Sequence, residues 1–111
     1  MRRPLVSVII VVYNNLNDLD GCFSSILKSD YPNVEIIAVD NASTDGSPDY
    51  IRKEFPSVKL MEYPTNVGFT EASNRAFRLS KGKYTLLLNP DTQIPRDTIS
   101  ILVDRMERGP Q

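Results

Sequence analysis

The sequence of 111 residues contains no histidine, and its one cysteine is Cys22. These absences exclude a disulfide framework within the chain and a zinc site of the usual Cys/His type. They also exclude histidine as a general base. Any chemistry must therefore use carboxylates, amides, hydroxyls or a hard metal ion. Cys22 lies beside Phe23 in a helical pattern, and we expect it to be a core residue.

Long apolar runs and an excess of either charge are also missing. No apolar stretch approaches the roughly 20 residues that span a bilayer. The first four residues, Met-Arg-Arg-Pro, do not lead into an apolar segment with a cleavage site. We therefore expect a cytoplasmic protein, with membrane association only through a longer parent chain. The net charge is -1, and no basic stripe indicates a nucleic-acid partner.

None of the five glycines belongs to a phosphate-binding loop. Neither Gly-x-Gly-x-x-Gly nor Gly-x-x-x-x-Gly-Lys-Ser/Thr occurs, and residues 12–15, Val-Tyr-Asn-Asn, contain no glycine. A dinucleotide enzyme and a P-loop enzyme are therefore disfavoured. A nucleotidyltransferase has a similar order of strands and helices, but it usually has a glycine-rich, basic loop at this place. If phosphates bind to this chain, a divalent metal is the natural counter-charge.

Four apolar runs alternate with four helical patterns. The runs are residues 5–12, 34–39, 58–63 and 84–88. The helical patterns are residues 15–29, a short stretch ending at 55, residues 66–80, and the residues after 95. Nearly continuous Val and Ile are typical of strands buried on both faces of a parallel sheet. The order predicts one α/β domain over residues 1–111, a Rossmann-like parallel sheet of about four strands with helices on both faces. The third run is expected nearer the sheet edge.

The helical patterns also predict caps and buried faces. Asn15 or Asn17 is a candidate cap for the first helix, Gly82 stands where a left-handed cap would end the third, and Gly109-Pro110 ends the last. The residues predicted on the apolar face of the third helix are Phe69, Ala72, Ala76 and Leu79. Those predicted for the last helix are Ile99, Leu102, Val103 and Met106.

In parallel α/β sheets the ligand lies beyond the carboxyl ends of the strands. Asp40 directly follows the second run, where an acidic residue can accept hydrogen bonds from a ribose or a base edge. The alternative is an ordinary turn residue in the polar segment 40–47. Asp45, followed by Gly46, is predicted to be a structural turn or cap residue. Tyr13 follows the first run, and it either stacks on a base or packs on the core.

Asp91 is the first candidate for a metal ligand. It follows three leucines, and Asn89-Pro90-Asp91 forms a turn that keeps its two polar side chains near each other. Mg²⁺ or Mn²⁺ would take one carboxylate oxygen together with diphosphate oxygens and water. An ordinary turn is the alternative, because Asn, Pro and Asp are common turn residues.

Several of these segments together resemble the N-terminal part of the family 2 inverting glycosyltransferases of GT-A architecture. The matching segments, in the family's order and near its usual spacing, are residues 6–14, 39–47, 66–69, 74–75 and 87–92. The family's metal-binding Asp-x-Asp motif stands here as Asn89-Pro90-Asp91. That form resembles the rhamnosyltransferase-type branch, which implies uridine diphosphate (UDP) or deoxythymidine diphosphate (dTDP) sugars as donors.

The resemblance implies a role for each matching residue. Tyr13, Asp40 and Asn41 would hold the nucleoside, and Asn74 would contact the donor. Asp91 would carry most of the binding of Mg²⁺ or Mn²⁺, with Asn89 beside it. The implied reaction is the inverting transfer of a sugar from a nucleoside diphosphate to an acceptor hydroxyl, with the metal stabilising the leaving diphosphate.

The sequence departs from the family in two ways. Glu71 follows Gly68-Phe69, where this branch often has small residues, and its charge would repel a diphosphate. The family's acceptor half and its usual catalytic carboxylate lie beyond the matching segments, so the catalytic residue is unknown and a truncated chain is expected. A non-catalytic nucleotide-binding or scaffold module is therefore the alternative. Residues 84–88 would form an open apolar edge, which predicts a homo-oligomer.

Overall fold

The computed structural model describes residues 3–109. The expectations for Met1, Arg2 and Pro110 lie outside them. The elements are β1 (Val6–Val12), α1 (Leu16–Leu27), β2 (Val34–Asp40), α2 (Ser47–Glu54), β3 (Lys59–Glu62), α3 (Phe69–Leu79), β4 (Tyr84–Leu87) and α4 (Thr98–Arg108). The four strands form one parallel sheet in the order β3-β2-β1-β4, which confirms the predicted fold and the edge position of the third run. Within this range no helix is long and apolar enough to cross a membrane.

Two hydrophobic cores lie on opposite faces of the sheet. Strand β1 is buried along all seven residues, because β2 and β4 pair with its edges and helices cover both faces. Its alternate side chains, beginning with Val6, pack with α1, α2 and α4, where the Phe23 and Phe55 rings meet edge-on at 5.1 Å. Ile9 and Val11 point the other way and pack under α3. Helices on both faces are thereby confirmed.

Helices α3 and α4 bury narrower faces than the sequence predicts. Ala72 and Ala76 are fully buried, but Phe69 is 54% exposed and Leu79 39% exposed. These two are the first and last residues of α3, whereas the small alanines in its middle let it lie close to β1 and β2. In α4 the predicted positions Ile99 and Val103 are buried, whereas Leu102 and Met106 are exposed.

Gly82 is needed for a close approach and not for a left-handed cap. Helix α3 ends at Ser80 in an extended conformation, and Gly82 is not among the residues with positive φ. A Cβ on Gly82 would lie 2.6 Å from the backbone nitrogen of Ser7 and 2.7 Å from the carbonyl oxygen of Tyr84. The prediction of a left-handed conformation was wrong, because the backbone of β1 demands the glycine instead.

Glu35 connects the turn between α3 and β4 to the middle of the sheet. Its carboxylate accepts hydrogen bonds from the Ser7 hydroxyl and the Lys81 N–H, and it pairs with the Lys59 ammonium at 2.6 Å. Partial burial would raise the pKa of Glu35, but these three donors outweigh it and lower the pKa to about 2. The ionised form is therefore part of the folded structure.

Glu35→Gln is expected to lower the free energy of unfolding by about 2 kcal/mol at pH 7, since three donors lose a charged acceptor. Because the folded pKa lies below the ordinary 4.5, this stabilisation is complete above pH 4.5 and is lost as the pH falls towards 2. Urea unfolding at several pH values should show the variant and the wild type converging over that window. The exposed Glu54→Gln is the control, and a loss that is equal at all pH values would contradict this role.

Candidate functional site

The predicted site residues other than Asn74 follow strands that end along one edge of the sheet. In the register of the sheet, Val12 of β1 stands beside Asp40 of β2, so both strands end together. Strand β4 leaves the sheet slightly earlier, and the Leu88 N–H donates to the Ile9 carbonyl at 2.9 Å. The residues that follow these three strands therefore begin along one carboxyl edge, where parallel sheets bind ligands.

Asp40 is a buried carboxylate that is held in place by its own loop. It is 1% exposed, and its two oxygens accept hydrogen bonds from the Ser43 N–H at 2.9 Å and the Ser43 hydroxyl at 2.6 Å. The loop turns through Ala42, whose φ of 68° is costly for a residue with a Cβ. A carboxylate has about four acceptor positions, so Asp40 retains capacity for a ligand donor while Ser43 fixes its direction.

The loop after β1 is bound to the loop after β2. Asn14 has a φ of 53°, a region that asparagine tolerates. Its N–H donates to the Ser43 hydroxyl at 2.9 Å, and its side-chain oxygen accepts from the Thr44 N–H at 2.7 Å. Tyr13 is 49% exposed and so does not pack in the core. Its ring is open, and base stacking stays a prediction.

Asp45 organises the starts of two helices. Its carboxylate accepts from the Leu16 N–H at the start of α1 and from the N–H and hydroxyl of Ser47 at the start of α2. Burial would raise the pKa of Asp45, but these donors lower it. The predicted structural role is confirmed. Asn15 occupies the predicted cap position of α1, but a cap hydrogen bond from its side chain was wrong. Asp45 reaches α1 from the next loop, and the Asn15 side chain accepts from the Tyr13 N–H instead.

Asn41 joins the site edge to the segment that precedes α3. It is 3% exposed, its side-chain NH₂ donates to the Gly68 carbonyl at 3.1 Å, and its oxygen accepts from the Val67 N–H at 2.8 Å. Most of its amide is therefore engaged within the protein. In the structure, Asn41 therefore positions the start of α3. Its direct contact with a nucleotide stays a prediction.

The other residue predicted to contact the donor lies on α3. Asn74 is exposed, and its side chain makes no hydrogen bond within residues 3–109. It stands about 7.5 Å along the helix axis from Phe69. Glu71 in the first turn of α3 lies 3.8 Å from the Arg78 guanidinium, and both side chains are more than half exposed. Arg78 thus lies beside the carboxylate for which repulsion of a diphosphate stays a prediction.

Asn89 and Asp91 lie on an exposed turn beyond β4. The Thr92 N–H donates to the Asn89 carbonyl at 3.0 Å and closes the turn. Asp91 is exposed, and its carboxylate has no hydrogen bond or ion pair to the residues that the structure describes. Those residues also contain no group of three or more His, Cys, Asp or Glu side chains that could hold a metal. One carboxylate and one amide oxygen fit a hard cation that takes its remaining ligands from phosphate and water.

Cys22 lies beneath that turn and does not add a ligand. It is fully buried, as predicted, and its thiol lies 3.8 Å from the Asn89 carbonyl oxygen. Burial first, and then the Asp91 carboxylate, raise the pKa of the Cys22 thiol to about 11. Because the thiol is fully buried and Mg²⁺ and Mn²⁺ prefer oxygen ligands, Cys22 is not a candidate ligand.

Asn14 and Ser43 lie within the matching segments 6–14 and 39–47, but the sequence did not predict the hydrogen bonds by which they connect these loops. Ser43 links Asp40 to Asn14, and Asn14 links the loops after β1 and β2. Ser25 of α1 accepts a hydrogen bond from the segment that follows the 89–91 turn. An asparagine two residues after a buried strand was the available signal, because asparagine is one of the few residues that enter the left-handed region.

Comparison with known proteins gives matches over nearly the whole chain. The description "Glycosyl transferase family 2" matches residues 7–111. Glycosyltransferase GlyG of Streptococcus pneumoniae serotype 4 is 30% identical over 106 residues, which are 93% of this chain and 35% of that protein. By this measure the chain spans about a third of the length of such a relative.

Two solved structures share the fold. Mannosyltransferase PcManGT from Pyrobaculum calidifontis, in complex with GDP-Man and Mn2+, is 32% identical with a TM-score of 0.82, over 90% of this chain and 31% of that one. S. aureus TarS 1-349, in complex with UDP-GlcNAc, is 25% identical with a TM-score of 0.86, over 94% of this chain and 31% of that one.

Proposed function

The chain belongs to glycosyl transferase family 2, and we propose that it forms the nucleotide-sugar-binding part of a metal-dependent, inverting glycosyltransferase. One structural feature supports this most. The buried Asp40 carboxylate and the exposed Asn89–Asp91 turn lie on either side of the end of β1, along the edge where parallel sheets bind ligands. A nucleoside diphosphate needs a fixed acceptor for its nucleoside and a cation for its phosphates.

In this proposal each side chain has a distinct task. Asp40, fixed by Ser43, accepts hydrogen bonds from the base edge or the ribose hydroxyls. The exposed ring of Tyr13 offers a stacking face for the base. Asn41 holds the start of α3, on which Asn74 is exposed towards a donor.

Asp91 and Asn89 would hold Mg²⁺ or Mn²⁺. The cation supplies charge stabilisation to the diphosphate as it leaves. PcManGT was solved with both GDP-Man and Mn2+, and this supports a divalent cation in the same fold. We assign no residue of this chain as the base that deprotonates the acceptor, because no segment resembles the part of the family that carries it.

The identity of the nucleoside is a finer part of the proposal. The Asn89-Pro90-Asp91 form favours UDP or dTDP sugars by its resemblance to the rhamnosyltransferase-type branch. The two structural relatives were solved with different donors, GDP-Man and UDP-GlcNAc, so family membership by itself does not decide the base. The protein must therefore be tested against all three diphosphates.

Calorimetric titration with UDP, dTDP and GDP, each with and without Mn²⁺, tests the proposed function. We expect binding that the metal tightens strongly but that is still measurable without it, and tighter binding of UDP or dTDP than of GDP. Preference for GDP would remove the rhamnosyltransferase-type assignment and keep the donor site. No binding under any condition would contradict the donor site and favour the non-catalytic scaffold alternative.

We also propose that the chain self-associates through β4. This strand forms one edge of the sheet, and in residues 3–109 no strand pairs with its outer side. It contains neither a charge nor a proline that would block pairing. Beside it lies an apolar groove of about 230 Å³ between β4 and α4, with Leu102 and Met106 exposed on its rim.

Leu87→Lys is expected to abolish this self-association, because a lysine on an edge strand opposes pairing with a second chain. Leu87 is 39% exposed, so the substitution leaves the core intact. Sedimentation equilibrium at high concentration should show dimers of the wild type and monomers of the variant. Leu27→Lys, at an exposed position on α1, is the matched control. A wild type that stays monomeric would contradict the interface.

A further inference from the structure

The segment that follows Asp91 runs along α1 and makes few hydrogen bonds with it. Beyond Leu88, the first anchor is weak, a contact of 3.8 Å between the Cys22 thiol and the Asn89 carbonyl. The next is the Ile94 N–H, which donates to the Ser25 hydroxyl at 3.0 Å. The Arg96 carbonyl then accepts from the Asp30 N–H at 3.0 Å. Asp91 thus lies between an anchor at the end of β4 and one at Ser25.

Ser25 is oriented to receive the Ile94 amide. Its own hydroxyl hydrogen is donated to the Cys22 carbonyl at 2.8 Å within α1. The oxygen lone pairs therefore point away from the helix backbone, and one of them accepts from Ile94. The single hydroxyl joins the middle of α1 to a residue 69 positions later in the chain.

Packing alone does not fix this segment. A groove of about 640 Å³ lies between α1 and the residues around Gln93, and Ser25 and Ile94 are among its lining residues. The Gln93 side chain lies over Gly21, where a Cβ would come within 2.6 Å of its amide nitrogen. The Ile94 side chain packs against the core, but the flexible Gln93 side chain above an open groove restrains the backbone weakly. The hydrogen bond to Ser25 is therefore the direct restraint on the Ile94 amide.

We infer that Ser25 is a positioning residue for the metal-binding turn, because it fixes the Ile94 amide three residues beyond Asp91. This inference rests on the proposed function. Hydrogen bonds around a metal-binding side chain determine how accurately it is oriented towards the metal. Loss of such a hydrogen bond commonly weakens metal binding by about 10-fold to 100-fold.

Three variants test the role of Ser25. Ser25→Ala removes the acceptor, and Ser25→Thr keeps a hydroxyl at the same position. Ser80→Ala is the matched control, because the Ser80 hydroxyl also donates to the carbonyl three residues earlier, at 2.7 Å, but belongs to the end of α3. Each variant is titrated with UDP with and without Mn²⁺, and amide hydrogen exchange of Ile94 is followed without ligand.

For Ser25→Ala we expect the Kd for UDP with Mn²⁺ to rise about 10-fold or more, while the Kd without metal changes less than about 2-fold. The Ile94 amide should exchange about 10-fold faster. Ser25→Thr and Ser80→Ala should behave as the wild type. A loss shared equally by both titrations would indicate general destabilisation and overturn the positioning role.

The two hypotheses fail in different ways. If the wild type shows no metal-dependent binding, the proposed function fails, and the role of Ser25 towards a metal fails with it. If the wild type binds with metal and Ser25→Ala binds equally well, only the positioning role is overturned. Unchanged exchange of the Ile94 amide in Ser25→Ala overturns it independently of any ligand.

Discussion

Asp91→Ala is expected to abolish metal-dependent binding of a nucleoside diphosphate, with the Kd in Mn²⁺ rising by at least about 100-fold. Asp91 is the one carboxylate on the turn beyond β4, and a hard cation there has no other anionic protein ligand nearby in the sequence. Because the side chain is exposed and has no partner within the described part of the chain, the free energy of unfolding should change by less than about 0.5 kcal/mol. Calorimetric titration combined with urea unfolding measures both quantities.

Two further variants distinguish direct binding of the metal by Asp91 from a general effect of removing a negative charge. Asp97→Ala removes an exposed carboxylate six residues later that makes no side-chain cap hydrogen bond, and it should leave the Kd unchanged. Asn89→Asp adds a second carboxylate to the turn and should tighten the metal-dependent binding. If Asp91→Ala kept its dependence on Mn²⁺, the metal would bind elsewhere, and the assignment of this turn would be wrong.

The sheet could be predicted from the sequence because burial on both faces leaves a local signature. All seven residues of β1 are buried, and the unbroken apolar run at residues 5–12 reflects that directly. Strand β3 carries charged residues at both of its ends, and its place at the sheet edge follows from them. In both strands, the burial or exposure of each position decides whether an apolar or a charged residue is found there. The residue types therefore indicate where each strand lies in the sheet.

The site was predictable only in outline. Parallel strands end at the same edge of a sheet, so the sequence predicts that Tyr13, Asp40 and the 89–91 turn lie along one edge. The hydrogen bonds that fix them join residues far apart in sequence, 29 positions for Asp45 with Leu16 and 69 for Ser25 with Ile94. Spacing along the chain describes local geometry, and it does not tell which distant backbone amide a side chain will meet.

Gly82 shows the same limit at a single residue. A glycine just after a helix is typical of a left-handed cap, and that local interpretation was wrong because the determining neighbour is Ser7, 75 positions away. The Gly82 N–H donates to the Ser7 hydroxyl at 2.8 Å, and the chain then continues into β4 beside β1. The glycine is thus required by contact between two backbones.

Gly82→Ala is therefore expected to lower the free energy of unfolding by about 3 kcal/mol. The new Cβ would lie 2.6 Å from the Ser7 nitrogen, and a backbone atom in a paired strand cannot rotate away. Gly46→Ala is the matched control. Gly46 has a φ of 89° with nothing within 4 Å of an added Cβ, so it should cost only the conformational penalty of about 1 kcal/mol.

Asparagine at the same two positions distinguishes the two reasons for a glycine. Asparagine tolerates the left-handed region, so Gly46→Asn should be more stable than Gly46→Ala in urea unfolding. At Gly82 the larger side chain meets the same backbone atoms, so Gly82→Asn should be at least as unstable as Gly82→Ala. A Gly82→Asn variant close to the wild type in stability would mean that conformation, and not the approach of β1, selects the glycine there.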